Sequence, residues 1–445
     1  MKFETAGLLT RLRAAPAFRN FTWLAADKLV RMVLGVAVGL WVARHLGPAD
    51  FGALSYGLAV ASLLVVVPGL GLDAIVRREL VRAPVEAGRV LGTTFRLRLV
   101  LGVLTYAGML AGAWLGEPDP NARLALAVAG LALLQQPFLA IDLWFQSQLL
   151  SRHMVIAHNT SFGICSVLRV MFILRGAPVT WFIAVLALET TLTTTLLVAA
   201  YRRGRHGFAD WRWDPTLARR LLRESWPLVV ATAASVVCIR IDQVILRTVV
   251  GTTETGVYSA AARIMEILHS LPLMLAASLS PGLIAARARS AEDYEQRVRR
   301  LFQLAAGSAW GAALGCALLA PLVIPWVFGP AFARTAGMLA VLAGSLPFIA
   351  LGIARQEYLI NEGRQRFQLA TTLVGAVLNV LLNLWAIPRW GGLGAAGATV
   401  VSHLAANLLT PLAWPPTRGI GVWQLQALAL FWRPLPAARA TLAAP

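Results

Sequence analysis

The sequence predicts an all-α integral membrane protein of about 12 transmembrane helices, and three observations lead there. Of the 445 residues, 58% are hydrophobic and only 14% are charged, against about 25% charged in a soluble domain. Apolar runs recur from one end to the other, each long enough to cross roughly 30 Å of hydrocarbon as a helix. Between them, every second connector is rich in arginine. A net charge of +19 in a soluble chain would suggest nucleic acid. Its confinement to alternate connectors makes it a topological signal instead, and no nucleic-acid partner is expected.

The spans are expected at 21–45, 51–73, 93–116, 122–148, 157–175, 179–201, 225–250, 256–282, 302–328, 334–360, 367–388 and 393–414. The first run is too long for the core of a signal peptide and is expected to stay as a span. One set of connectors is short and turn-like: Gly47-Pro48-Ala49-Asp50, Glu117-Pro118-Asp119-Pro120, Gly176-Ala177-Pro178, Gly251-Thr252-Thr253 and Gly329-Pro330. The other set is longer and carries the arginines, among them Arg77, Arg78 and Arg82, then Arg219, Arg220 and Arg223, then Arg297, Arg299 and Arg300. By the positive-inside rule this alternation puts both termini in the cytoplasm. In the tail from 415 to 445, the apolar stretch 421–432 is too short to span and suits the membrane interface.

An internal repeat divides the count. Leu46 to Gly52 lies over Val250 to Gly256 at an offset of 204, where Ser55 also meets Ser259, Pro68 meets Pro272 and Arg96 meets Arg300. Pro137-Phe138 matches Pro347-Phe348 at an offset of 210, which then places Gln146 on Gln356. The expectation is two parallel six-helix lobes, 1–205 and 206–414, with a 415–445 tail. Parallel repeats of this kind are transporter architecture, with the site between them near mid-membrane. Pro68 and Pro272 would then mark bending points at matching depth. Gly108, Gly112 and Gly116, four residues apart, favour close helix packing.

The stretch Asn20-Phe21-Thr22-Trp23 through Leu46-Gly47-Pro48-Ala49-Asp50-Phe51-Gly52, then Gly69-Leu70-Gly71-Leu72-Asp73 to Arg77-Arg78-Glu79-Leu80, carries a resemblance. It resembles the polysaccharide-biosynthesis (Wzx-type) flippases of the multidrug/oligosaccharidyl-lipid/polysaccharide exporter (MOP) superfamily. The resemblance is strong over the first 80 residues and weak to about residue 414. It implies two six-helix lobes around a central cavity that opens to each side in turn. It also implies a lipid-pyrophosphate-linked oligosaccharide as cargo, flipped from the cytoplasmic to the outer leaflet of a bacterial inner membrane. Membrane lipids, a polysaccharide polymerase and chain-length proteins are the partners it suggests.

A charge at the bilayer centre costs at least about 2.5–3.5 kcal/mol, so it tends to face protein or water. Asp27, Lys28 and Arg31 fall in the first span, Arg240 and Asp242 in the seventh, Arg263 and Glu266 in the eighth, and Arg355 with Glu357 in the tenth. Lys28, Arg31, Arg240, Arg263 and Arg355 are the candidates for binding a pyrophosphate, because guanidinium groups grip phosphate oxygens bidentately and stay ionised. Asp27, Asp242 and Glu266 are candidates for ion coupling or for charge pairing. The i, i+4 spacing of Asp27 and Arg31 and the i, i+3 spacing of Arg263 and Glu266 also fit plain neutralisation within a helix, and Arg355 could snorkel to the interface.

Cys165, Cys238 and Cys316 lie in separate apolar runs and the six histidines form no HxxxH or HExxH pattern, so neither a disulfide framework nor a metal or other cofactor is expected. A polymerising enzyme would display a large extracytoplasmic loop, and the connectors offer none. A cation-coupled multidrug exporter and a peptidoglycan-precursor flippase of the same superfamily are the competing readings.

Overall fold

In a computed structural model, the backbone is described for residues 16–204 and 207–429 and the side chains from Leu34 onward. Among these residues there are helices and turns but no strand. The chain forms two compact units, Met1–Val236 and Val237–Pro445, which divide within the helix Pro215–Val249.

Among the described residues, nine helical stretches are long and apolar enough to cross a membrane, and the bent pair Thr335–Ala343 and Leu346–Asn361 makes a tenth. Two of the nine, Leu34–Arg82 and Gln365–Ala413, run to 49 residues, or about 70 Å of helix, more than twice the hydrocarbon thickness. Each turns sharply at a glycine with non-helical torsions, Gly47 (φ 72°, ψ 174°) and Gly391 (φ 55°, ψ −134°). Each therefore supplies two legs, which brings the spans to the expected twelve.

The glycine turns carry the repeat into the backbone. Gly251, at offset 204 from Gly47, adopts φ 118° and ψ 179° as the N-cap of Thr252–Arg287. Both residues sit at positive φ with an extended ψ, where a side chain would be strained. The second register also has a structural counterpart. Pro137 lies in the 3₁₀ turn Gln136–Phe138 that interrupts the fourth span, and Pro347 opens the second segment of the bent tenth span.

The basic connectors differ from expectation in being mostly helical. Pro215–Val249 begins ten residues before the predicted seventh span, and Ala291–Phe328 eleven before the ninth. Arg219, Arg220, Arg223, Arg297, Arg299 and Arg300 thus stand on rigid stems that continue the spans. Beyond the bilayer the helical hydrogen bonds still form and water solvates the charged faces. In the tail, Arg418–Ala429 is a helix whose Gln424 donates to the carbonyl of Leu351 at 3.1 Å, while Arg299 lies over the ring of Trp423.

Two expectations about bending and packing change. Pro68 lies just before a true break, where Leu70 (φ 53°) and Gly71 (φ 58°) separate Val66–Gly69 from Asp73–Arg82. Pro272 lies inside an uninterrupted helix, so matching depth does not give matching conformation. The Gly108, Gly112 and Gly116 row is exposed and a Cβ added at any of them meets nothing within 4 Å. Close approach occurs instead at Gly57, where a Cβ would lie 2.8 Å from the Ala125 backbone, and at Gly102, where it would lie 2.6 Å from the Leu133 carbonyl oxygen. Gly102→Ala should therefore lower the thermal unfolding temperature in detergent, at a cost of roughly 1–3 kcal/mol. Gly112→Ala should leave it unchanged or raise it slightly, since alanine favours helix by about 0.8–1 kcal/mol.

Candidate functional site

Asp27, Lys28 and Arg31 lie on the helix Pro16–Leu64 but outside the described side chains. The other candidates fall in the unit Val237–Pro445. Arg240 is one-quarter exposed and reaches across to the eighth span, where its Nη1 lies 2.7 Å from Glu266 Oε1. The i, i+3 pairing of Glu266 with Arg263 expected within the eighth helix does not form, because Glu266 turns to the neighbouring helix. Arg263 is left exposed and makes no ion pair among the described residues. Asp242, two residues from Arg240 and on another face, is buried; it accepts hydrogen bonds from the Tyr258 hydroxyl and, at 2.7 Å, from the Gln243 backbone N–H.

Arg355 neither snorkels nor lies open to a ligand: it is wholly buried. The twelfth span widens into a π turn at Ala405–Leu409, which withdraws carbonyls from the regular ladder. Arg355 Nη1 donates to the carbonyls of Ala406 (3.2 Å) and Asn407 (3.3 Å). Its Nη2 donates to Thr371 Oγ1 (3.0 Å), Asn407 Oδ1 (3.2 Å) and Gln368 Oε1 (3.4 Å). Gly352 permits the approach, since a Cβ there would lie 2.4 Å from Asn407 Oδ1. Asn407 in turn pairs with His403 Nδ1 at 3.4 Å. A phosphate could reach this guanidinium only by displacing bonds that hold three spans together. Arg355→Leu should cost roughly 1.5–3 kcal/mol for the lost charged hydrogen bonds, read as a lower unfolding temperature, and Arg355→Lys should restore part of it.

The unit Met1–Val236 holds charge pairs that sequence reasoning does not reveal. Arg98, also wholly buried, donates to Asp73 Oδ1 at 2.5 Å and to the carbonyls of Gly69 (3.4 Å) and Gln136 (3.5 Å). His158 pairs with Asp142 at 2.9 Å, and Arg169 pairs with Glu189. Each has its partner on another span, so no spacing along one helix reveals the pair. Arg77, read as topological, donates to Gln146 Oε1 at 2.7 Å, which gives a role to one of the repeat-matched glutamines.

At the basic end of this unit, a recess of about 730 Å³ is walled by Trp144, Tyr201, Trp211 and Trp213 together with Arg89 and Asp214. The 207–214 loop is seated on the start of Ala87–Gly116, where Cβ atoms at Gly88 and Gly92 would lie 2.4 and 2.6 Å from backbone atoms of Asp210 and Arg212. Asp214 accepts from the Thr216 hydroxyl (2.6 Å), the N–H groups of Leu217 (3.0 Å) and Thr216 (2.7 Å), and Arg89. These bonds, that of the Thr216 side chain foremost, hold its carboxyl well below the usual carboxylate range. Because the folded value is depressed, the stabilisation is present above the unfolded value and is lost as pH falls toward the folded one. Unfolding temperature should therefore decline below about pH 4, and Asp214→Asn should flatten that decline.

Among the described residues, a bundle of apolar helices with charges paired between spans defines a polytopic membrane protein. The profile of the family described as polysaccharide biosynthesis protein matches residues 17–286, more than half of the sequence, and the chain belongs to that family. No curated protein matches it by sequence. Among solved structures, an inward-facing multidrug resistance MATE family transporter of the MOP superfamily aligns with a TM-score of 0.72 and 18% identity, over 92% of this chain and 99% of that one. The lipid II flippase MurJ, in an inward closed conformation, aligns at 0.71 and 13% identity over 92% and 91%. A MOP superfamily transporter from Pyrococcus furiosus, whose binding pocket is described as reversed in polarity, aligns at 0.60 and 17% identity over 95% and 98%. The fold is thus shared with transporters of the MOP superfamily, and the family is that of polysaccharide biosynthesis proteins.

Proposed function

We propose that the protein moves an undecaprenyl-pyrophosphate-linked oligosaccharide from the cytoplasmic to the outer leaflet of a bacterial inner membrane, by ion-coupled alternating access with both termini in the cytoplasm. The carrying observation is an exposed arginine at membrane depth that pairs with no described acid. The acids described there are engaged: Glu189 by Arg169, Asp142 by His158, Glu266 by Arg240, Asp242 by Tyr258 and Glu357 by Ser280. Arg263 has no such partner among the described residues. It stands 11 residues into Thr252–Arg287, about 16 Å along the axis, where exposure to lipid would be costly. Water or an anionic cargo accounts for it better. Arg240, partly exposed beside Glu266, can serve the same pyrophosphate, and Lys28 and Arg31 remain candidates with it. Asp242 is the favoured coupling group because its charge can be neutralised by a proton or cation while Tyr258 holds it in place.

The competing multidrug reading draws on the MATE-like fold, but it calls for an accessible acid to meet an organic cation, and Asp242 is buried beneath Tyr258. Deleting the gene should cause lipid-linked oligosaccharide to accumulate on the cytoplasmic side without changing drug susceptibility. Complementation with Arg240→Ala or Arg263→Ala should lower surface polysaccharide at least tenfold, about 1.4 kcal/mol. Normal export by both variants would remove the cationic mechanism. Raised drug sensitivity in the deletion strain would favour the exporter instead.

A further inference from the structure

On the basic side of the unit Val237–Pro445, the last turns of Thr252–Arg287 and the first turns of Ala291–Phe328 enclose a groove of about 520 Å³. We propose that this groove binds the phosphate of an anionic phospholipid of the surrounding bilayer. The proposal does not depend on the transport reading above.

The groove is amphiphilic in the order a lipid requires. Along Ala291–Phe328 the sequence is charged up to Arg300 and apolar from Leu301 onward, so the change from water to hydrocarbon falls within the groove itself. Leu279, Leu283, Leu301 and Leu304 line one part, and Arg297 and Arg300 the other. Arg297 Nε donates to Asp293 Oδ1 at 2.9 Å, which orients the guanidinium and leaves its Nη groups for another acceptor. Arg300, one turn of helix away, is exposed and makes no ion pair among the described residues. Two such forks suit a tetrahedral phosphate, each through charge-assisted paired bonds.

Gly282 keeps the groove open: a Cβ there would sit 3.6 Å from Arg297 Nη1, so a larger side chain would grow into the space beside the guanidinium. No aromatic ring lines the groove, and its volume suits a phosphate with its glycerol rather than an oligosaccharide. Basic pockets between helices on the basic face of a membrane protein are where anionic headgroups gather. These features favour a bilayer phospholipid over the glycan-bearing cargo.

The test uses the full chain purified in detergent, with phosphatidylglycerol and phosphatidylcholine in equal amounts as probes and native mass spectrometry as the readout. Wild type should retain phosphatidylglycerol preferentially. Arg297→Ala with Arg300→Ala should reduce that preference roughly tenfold or more, whereas Arg389→Gln, on the opposite side, should leave it unchanged. Gly282→Leu keeps both charges and fills the space, so it should also abolish retention and guards against misfolding of the charge variant. Equal retention of the two lipids by wild type, or unchanged preference in the double-arginine and Gly282 variants, would overturn the proposal. Complete displacement of phosphatidylglycerol by equimolar undecaprenyl pyrophosphate would overturn it too, by giving the groove to the cargo.

Discussion

Hydrocarbon offers no hydrogen-bond partner, so each break in a spanning helix must be repaired from within the protein. This constraint explains why the two largest wholly buried side chains among the described residues are arginines. Arg98 serves the carbonyl of Gly69, where the second span breaks, and that of Gln136, where the fourth turns 3₁₀. Arg355 serves the carbonyls released by the π turn of the twelfth span. A guanidinium suits the task because five donors in a plane can reach several acceptors at once. The two repeats share the break at Pro137 and Pro347, but they repair themselves with arginines on non-equivalent spans.

Once the backbone is satisfied, the remaining charges obey the same economy. Arg169 with Glu189, His158 with Asp142 and Arg240 with Glu266 each tie one span to its neighbour. Such pairs lower the cost of burying either partner, yet removing one member strands the other. They therefore specify which helices pack together more than they add to stability. Arg263 stands apart because Glu266, the acid nearest to it in sequence, is committed to Arg240.

The helices, their turns and their number were legible in the sequence because hydropathy and glycine placement are local properties. Gly47 and Gly251 could be matched from the chain alone, since a left-handed turn at a fixed offset needs no knowledge of packing. The charges were only half legible. Spacing pairs Glu266 with Arg263 because it sees only one helix at a time, whereas Glu266 meets Arg240 on the neighbouring span. Arg98 was passed over and Arg355 was read as a ligand or a snorkelling group. Nothing in their neighbourhood announces a broken carbonyl ladder on a distant span. The row of Gly108, Gly112 and Gly116 misled for a related reason: spacing says that one face is smooth, not what that face meets.

The helical stems change how the basic face should be understood. Arginines on loops would act chiefly as a diffuse counter-charge to the membrane, each free to find its own phosphate. On stems, their spacing is fixed by helix geometry. Arg78 meets Glu224 at 2.5 Å and Arg220 meets Glu79 at 2.6 Å, so the end of the second span and the stem of the seventh are cross-linked by two complementary pairs. Exposed pairs are worth little singly, but two on the same pair of helices fix a register. The same rigidity holds Arg297 and Arg300 three residues apart on one face. The arginine excess that marks topology in the sequence is thus also held, at particular places, at fixed spacing and orientation.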